Sequence, residues 1–163
     1  MWLYLVHHGD AVPPEEDSRR PLSALGRQGS EEVAEAAALR GVRPALIWHS
    51  GKLRARQTAE VFWRACNPLA EFQAVPGLQP ADFAGLFRDQ LIGEPRDVMA
   101  VGHMPNLLRV LALLTTGADQ GEAAFPPHGM VALQRDDDEG AWVERWRLEP
   151  RIEPLVRTLD TAG

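Results

Sequence analysis

Three short, uninterrupted apolar runs most constrain how this chain of 163 residues can fold. They occupy residues 2–6, 45–48 and 98–101, and polar and apolar residues alternate in none of them. Continuous apolar runs of this length are typical of strands that are covered on both faces, as the strands of a parallel sheet are. Helical patterns lie between the runs, and strands that alternate with helices predict an α/β fold.

Four segments have apolar residues at helical spacing, and the first helix is expected to begin at Ser23, a good N-cap residue. The residues that mark the four helices are Leu25, Val33, Ala36, Ala37 and Arg40; Ala55, Thr58, Ala59, Phe62 and Cys66; Phe83, Leu86, Phe87 and Leu91; and residues 107–114.

The C-terminal part of the chain has the pattern of a hairpin. Residues 131–133 and 142–146 predict two strands, and the acidic run 136–140 between them predicts a solvated turn rather than a metal site. Alternation along the second strand places Trp142 and Trp146 on one face.

Length and composition set the broad class of protein. A chain of this length is expected to form a single domain over residues 1–163. Its 45% hydrophobic and 25% charged residues are ordinary for a globular protein and exclude disorder over most of the chain. The one cysteine, Cys66, excludes an internal disulfide framework and a cysteine-based zinc cluster. A net charge of −6 argues against nucleic acid or an anionic membrane as a partner.

No targeting or membrane segment is predicted. The run 2–6 is too short for a signal-peptide core and lacks a basic flank. Residues 107–114 are interrupted by Arg109 and fall short of the roughly 20 residues that span a bilayer. We therefore expect a soluble protein of the cytoplasm.

Histidines follow all three predicted strands where each strand ends. The first run is followed by His7 and His8, the second by His49 and the third, after Gly102, by His103. Sites in open parallel sheets form outside the carboxyl ends of the strands, so the histidines predict one pocket.

Arg54 indicates what the pocket binds. It lies near the start of the second predicted helix, and helix N-termini favour phosphate because their N–H groups are free. A guanidinium adds a planar pair of donors that matches phosphate oxygens. In such a pocket one neutral imidazole can attack phosphorus, while a protonated one donates hydrogen bonds to the phosphoryl oxygens. The sequence has no Walker A loop, so nucleoside triphosphate chemistry of that kind is not predicted.

Several motifs in order resemble the histidine phosphatase superfamily. They are His8-Gly9-Asp10; residues 19–23 with Gly26; Ser50 followed by residues 53–55 and 57–58; and Gly102-His103 with Pro105. The short chain and residues 8–11 are most similar to the SixA branch, which consists of small phosphohistidine phosphatases. The resemblance extends from the first strand to about Leu133.

The resemblance implies a phosphoglycerate mutase-like, three-layer α/β/α fold with a mostly parallel central sheet. His8 would be the nucleophile that carries the phosphoryl group, Arg54 would bind phosphate oxygens, and His103 would hold the phosphoryl group and stabilise the transition state. The family uses no metal and no organic cofactor. The substrate would be the phosphohistidine of a signalling protein or, as in larger relatives, a small phosphorylated metabolite.

His7 departs from the family pattern, because the residue before the nucleophile is normally an arginine that contacts phosphate. A hydrogen bond to a charged group is worth about 1.5–3 kcal/mol, so its loss weakens phosphate binding about tenfold to a hundredfold. We expect His7 to line the site and, when protonated below about pH 6.5, to supply part of this contact.

Asp82 is the candidate general acid for a phosphate ester, and the alternative interpretation is a helix N-cap. A phosphoramidate whose ring nitrogen is protonated depends less on such an acid, which favours phosphohistidine as the substrate.

Other interpretations stay open. One is a metal-dependent hydrolase that uses His7, His8, Asp10, His49 and His103, although no spaced metal-ligand motif is present. Another is a catalytically weakened module that binds phosphate or a phosphoprotein.

Two further sites have an open or a structural interpretation. Arg19 and Arg20 form either a solvated pair or a contact to an anionic substrate. His128 is expected to be a loop histidine, and a position at the rim of the pocket is the alternative.

Overall fold

Six strands form one mixed sheet in the computed structural model of the chain, which describes residues 1–121, 123–136 and 140–151. The strands are β1 (Trp2–His7), β2 (Leu46–His49), β3 (Glu71–Ala74), β4 (Val98–Gly102), β5 (Met130–Arg135) and β6 (Trp142–Leu148). Their order across the sheet is β3-β2-β4-β1-β5-β6. The first four in this order are parallel, β5 runs antiparallel to β1, and β6 runs antiparallel to β5. The mostly parallel sheet is confirmed.

Four helices cover the two faces of the sheet. They are α1 (Ala24–Leu39), α2 (Leu53–Cys66), α3 (Ala84–Gln90) and α4 (Asn106–Thr116). The buried residues of α1 and α2 pack in one core cluster, and those of α3 and α4 pack in a second. The α/β/α arrangement is therefore confirmed. Ser23 caps α1 as expected, because its hydroxyl oxygen accepts from the N–H of Gly26 at 2.9 Å. Among the described residues, no helix is long and apolar enough to cross a membrane.

The central strand β1 shows why its sequence is continuously apolar. Leu3 and Leu5 belong to the core under α3 and α4, whereas Tyr4 and Val6 belong to the core under α1 and α2. These four residues are therefore buried, whichever face they occupy.

The prediction that Trp142 and Trp146 share a face is wrong. β6 contains a bulge, because Ala132 pairs with Trp146 while the next residue of β5 pairs with Glu144. The extra residue reverses the alternation, so Trp142 packs in the core under α3 and α4 and Trp146 packs on the other face, with its ring centroid 6.2 Å from that of Tyr4. The predicted acidic turn includes residues 137–139, which lie outside the described residues.

A close contact between α1 and the segment after β1 positions the end of that strand. A Cβ atom on Gly9 would lie 2.6 Å from Gly26 O and from Ser30 Oγ, and one on Gly26 would overlap the backbone of Asp10. Only glycine fits at these two positions. Leu25, which we expected on the packed face, is instead 46% exposed, because the small residues beside it make this contact.

We predict that Gly26→Ala lowers the free energy of unfolding by about 1–3 kcal/mol, the usual cost of overpacking, even though alanine is the better helix former. Gly121→Ala is the control, because a Cβ there would have no neighbour within 4 Å. We expect the control to change stability by less than about 0.5 kcal/mol in urea denaturation. A Gly26→Ala protein as stable as the wild type would show that the contact tolerates a side chain.

Candidate active site

The carboxyl ends of β1 and β4 and the start of α2 bring together the three residues predicted to act on phosphate. His8 follows β1, and its ring centroid lies 4.8 Å from that of His103, which follows β4. Arg54 is the second residue of α2, and its Nε–H donates to His8 Nε2 over a long 3.4 Å. Residues distant in sequence thus form one cluster, as the rule for strand ends predicts.

The backbone determines which nitrogen of the neutral His8 ring carries the proton. His8 Nδ1 lies 2.7 Å from Gly9 O, and because a carbonyl can only accept, Nδ1–H donates. The lone pair is therefore on Nε2, the atom that faces Arg54.

Thr58 ties the turn after β1 to α2. Its hydroxyl accepts from Gly9 N–H at 3.0 Å and donates to Arg54 O at 2.8 Å. Sequence reasoning counted Thr58 as part of the packed face of α2 and of the family motif, and missed this contact with the turn.

His103 is held by Ser50. The two residues meet at 2.7 Å between His103 Nε2 and Ser50 Oγ, and Ser50 Oγ also accepts from Lys52 N–H at 3.3 Å. His103 is only 2% exposed, and its Nδ1 has no hydrogen-bond partner within the described part of the chain. A buried polar atom left unpaired is costly, so a ligand that paired with Nδ1 would gain this energy.

Burial keeps the imidazoles of the cluster neutral. Burial first, and then the neighbouring imidazoles and Arg54, lower the pKa of His8 to about 4 and the pKa values of His7 and His103 to about 3. A neutral His8 is what nucleophilic attack needs. The expectation that His7 becomes protonated near pH 6.5 is wrong for the unliganded protein, because that value applies to a solvated ring.

The structure separates the two adjacent arginines. Arg19 is exposed and pairs with Asp17 at 2.9 Å. Arg20 has a backbone φ of 50° and donates through Nε to Val12 O at 3.2 Å. Arg20 lies close enough to Arg54 to lower its pKa, after the larger effect of burial. The charge of Arg20 also lowers the pKa of His8, so Arg20 lies near the cluster.

His128 is a site residue that sequence reasoning did not select, because we favoured a loop histidine over one at the rim of the pocket. Its backbone N–H donates to His7 Nδ1 at 2.9 Å, and its ring stacks on His7 with centroids 4.7 Å apart. Its Nδ1 lies 2.7 Å from His8 O. The available signal was the position of His128 just before β5, because the start of an antiparallel strand lies beside the end of its neighbour β1.

The five residues of the metal hypothesis are not brought together. His49 Nδ1 accepts from Gly51 N–H at 3.0 Å, and Asp10 Oδ2 accepts from the Ser23 hydroxyl at 2.6 Å.

A different set of three, His7, His8 and His128, offers ring nitrogens within 4.8 Å of one another. A divalent ion there would have to displace the Arg54 guanidinium from His8 and a backbone N–H from His7. The geometry favours an anion over a metal ion.

The carboxylate of Asp82 binds the backbone of its own loop. Its Oδ2 accepts from the N–H groups of Gly77 and Gln79, both at 3.0 Å, so the carboxylate organises the loop before α3. The N-cap of α3 is Phe83, so the N-cap interpretation of Asp82 is wrong.

Residues 3–88 match the family model of the histidine phosphatase superfamily (branch 1), which covers more than half of the chain. The chain therefore belongs to the histidine phosphatase superfamily, and it is a phosphatase. No curated protein matches the sequence significantly.

Solved structures with the same fold include SixA proteins. The protein histidine phosphatase SixA complexed with tungstate has a TM-score of 0.80 and 26% identity, and the match covers 92% of this chain and 97% of that one. A SixA protein from Agrobacterium tumefaciens has a TM-score of 0.74 and 26% identity, with 91% and 97% covered. The alpha-ribazole phosphatase from Shigella flexneri shares the fold at 14% identity, with a TM-score of 0.72 and 89% and 95% covered.

Proposed function

We propose that the protein removes phosphate from phosphohistidine of a cytoplasmic signalling protein, without a metal ion, through a phosphohistidine intermediate on His8. The observation that carries this proposal is the unprotonated Nε2 of His8, which faces the Arg54 guanidinium in a pocket of cations. A lone pair for attack and a donor for phosphate oxygens are thus side by side.

The proposed reaction has two steps. His8 Nε2 attacks phosphorus as the P–N bond to the substrate breaks, and the substrate imidazole, protonated on its other nitrogen, leaves as a neutral ring. In the proposed reaction Arg54, Arg20 and His103 hold the phosphoryl oxygens; Arg54 contacts His8, and the His103 ring centroid lies 4.8 Å from that of His8. Water then attacks phosphorus, the bond to Nε2 breaks, and inorganic phosphate leaves with His8 restored.

Phosphohistidine suits this pocket because few groups in it can supply a proton. In the described part of the chain, the side chains whose charges lower the pKa values of His7, His8 and His103 are histidines, arginines and one lysine. No carboxyl group is among them. A protonated imidazole leaves without help from a carboxylic acid, whereas an alkoxide does not. The 26% identity to a SixA protein that was solved with tungstate, a tetrahedral oxyanion, further supports this choice.

We predict that His8→Ala abolishes both the phospho-adduct and turnover, with a loss of at least about a thousandfold, because it removes the attacking atom. Wild type and variant are mixed with a phosphohistidine peptide and a chelator, and quenched samples are measured by intact mass. Circular dichroism verifies the fold of the variant. Turnover by folded His8→Ala would refute the mechanism. A wild type that binds phosphate but shows neither adduct nor turnover would favour the weakened binding module.

We predict that Arg20→Ala weakens the binding of inorganic phosphate by about tenfold or more, because one charged hydrogen bond is lost. Arg19→Ala is the matched control, because that guanidinium is exposed and pairs with Asp17. Isothermal titration calorimetry measures both variants. Equal losses in the two variants would place Arg20 outside the pocket.

A small-molecule phosphomonoesterase is the second candidate function, with Asp82 as the general acid. The supporting observation is that the loop of Asp82 adjoins the site: Gln79 Nε2 donates to Ser50 O at 2.5 Å, and the same Ser50 holds His103.

Asp82→Asn separates the two candidates, because asparagine keeps the acceptor for the loop N–H groups but cannot donate the carboxyl proton. We expect the variant to keep phosphohistidine turnover within a few-fold of the wild type, and we expect little ester hydrolysis in either protein. Substantial ester hydrolysis by the wild type that falls at least about a hundredfold in the variant would favour the phosphomonoesterase.

A further inference from the structure

The backbone of His128 holds the His7 ring in one protonation state. His128 N–H lies 2.9 Å from His7 Nδ1, and a backbone N–H can only donate, so this nitrogen must present its lone pair. The proton of the neutral His7 ring is therefore on Nε2, whereas in His8 it is on Nδ1.

Several contacts keep this arrangement in place. His7 N–H donates to Gly129 O at 2.9 Å, and the His7 and His128 rings stack with planes only 10° apart. His128 has a φ of 53°, in the left-handed region, and its Nδ1–H donates to His8 O at 2.7 Å. The segment before β5 thus binds both histidines at the end of β1.

His7 Nε2 is open to a ligand. Within the described part of the chain it has no hydrogen-bond partner, and it is not among the buried unpaired atoms, so solvent reaches it. The ring lies edge-on to His8, with centroids 4.7 Å apart.

The surroundings of His7 disfavour a second proton on its ring. On Nδ1 it would point at the N–H of His128. Three groups lower the pKa of His7 by their charge: His8 on its own segment, His128 before β5 and Arg54 on α2. His7 in turn lowers the pKa of His103, which follows β4. None of these four is acidic. Burial and these neighbours lower the pKa of His7 to about 3.

We propose that His7 binds the phosphoryl group as a neutral hydrogen-bond donor through Nε2–H, and that the backbone N–H of His128 is the positioning group that sets this tautomer. The proposal deepens the proposed function and rests on phosphoryl binding at His8. The pocket thereby retains a donor at the position of the family's arginine without adding a charge. A protonated His7 would strengthen phosphate binding as the pH falls, whereas a neutral donor leaves its own contribution constant.

Nitrogen NMR tests the tautomer without any need for turnover. Protein labelled with ¹⁵N in the histidine rings is recorded from pH 5 to pH 8, with and without inorganic phosphate, and His7→Gln assigns the His7 signals by their loss. We expect the proton of His7 on Nε2 throughout this range, and the proton of His8 on Nδ1. A His7 ring that carries its proton on Nδ1, or that gains a second proton when phosphate binds, would overturn the proposal.

Two matched variants test the donor. Glutamine places an N–H near the position of Nε2, whereas asparagine offers an acceptor near Nδ1 but no donor near Nε2. We expect His7→Gln to bind inorganic phosphate within about threefold of the wild type, and His7→Asn to bind at least about tenfold more weakly. Calorimetry measures binding, and thermal unfolding verifies that both variants fold.

The pH dependence provides the final test. The titration of phosphate itself changes the Kd of both proteins equally, so it cancels in the ratio of the Kd of His7→Gln to the Kd of the wild type. We expect this ratio to stay constant from pH 5 to pH 8. A ratio that rises as the pH falls would show that His7 acts as a cation. Wild-type turnover is measured on the same samples. Its absence, together with the expected tautomers and Kd values, would count against the proposed phosphatase reaction and leave the role of His7 intact.

Discussion

The turn after β1 is the constraint on which the site depends. Gly9 packs against α1 where no side chain would fit, and its two polar backbone groups contact His8 Nδ1 and the Thr58 hydroxyl. Because Thr58 also binds the carbonyl of Arg54, the proposed nucleophile and the start of the phosphate-binding helix form one hydrogen-bonded unit. A shift of either element would separate the attacking nitrogen from the guanidinium, and proximity of this kind is a large part of catalysis.

The electrostatics of the unliganded pocket are unfavourable in a way that an anion relieves. Burial removes solvation from the imidazoles, and Arg20 and Arg54 lie near each other with mutual repulsion. In the proposed reaction a phosphoryl group compensates these cations, and donors held in place beforehand lower the energy of a charged transition state. Backbone atoms assign the protons: a carbonyl places the proton of His8 on Nδ1, and an N–H places that of His7 on Nε2.

The fold could be predicted where a run of neighbouring residues is buried. It was missed where a side chain is surrounded by residues that are distant in the sequence. The strands of the central sheet were predicted to within a residue or two, because both of their faces are buried. β3 was not predicted, since it is an edge strand with exposed polar residues such as Glu71 and Gln73. The face of Trp146 was wrong because of a bulge that no local pattern signals, and Leu25 was misplaced because glycine and serine form the packed face of α1.

The sequence by itself determined the layered α/β fold and the motif residues His8, Arg54 and His103, because apolar periodicity and the positions of strand ends are properties of the local chain. Tertiary structure decided the rest of the site. His128 reaches His7 only because β5 runs antiparallel to β1, although the two histidines are 121 residues apart. Protonation also depends on this packing, since desolvation and the partner of each ring nitrogen come from neighbours in space. Burial above all lowers the pKa of His7 to about 3, far below the value that its sequence position alone suggests.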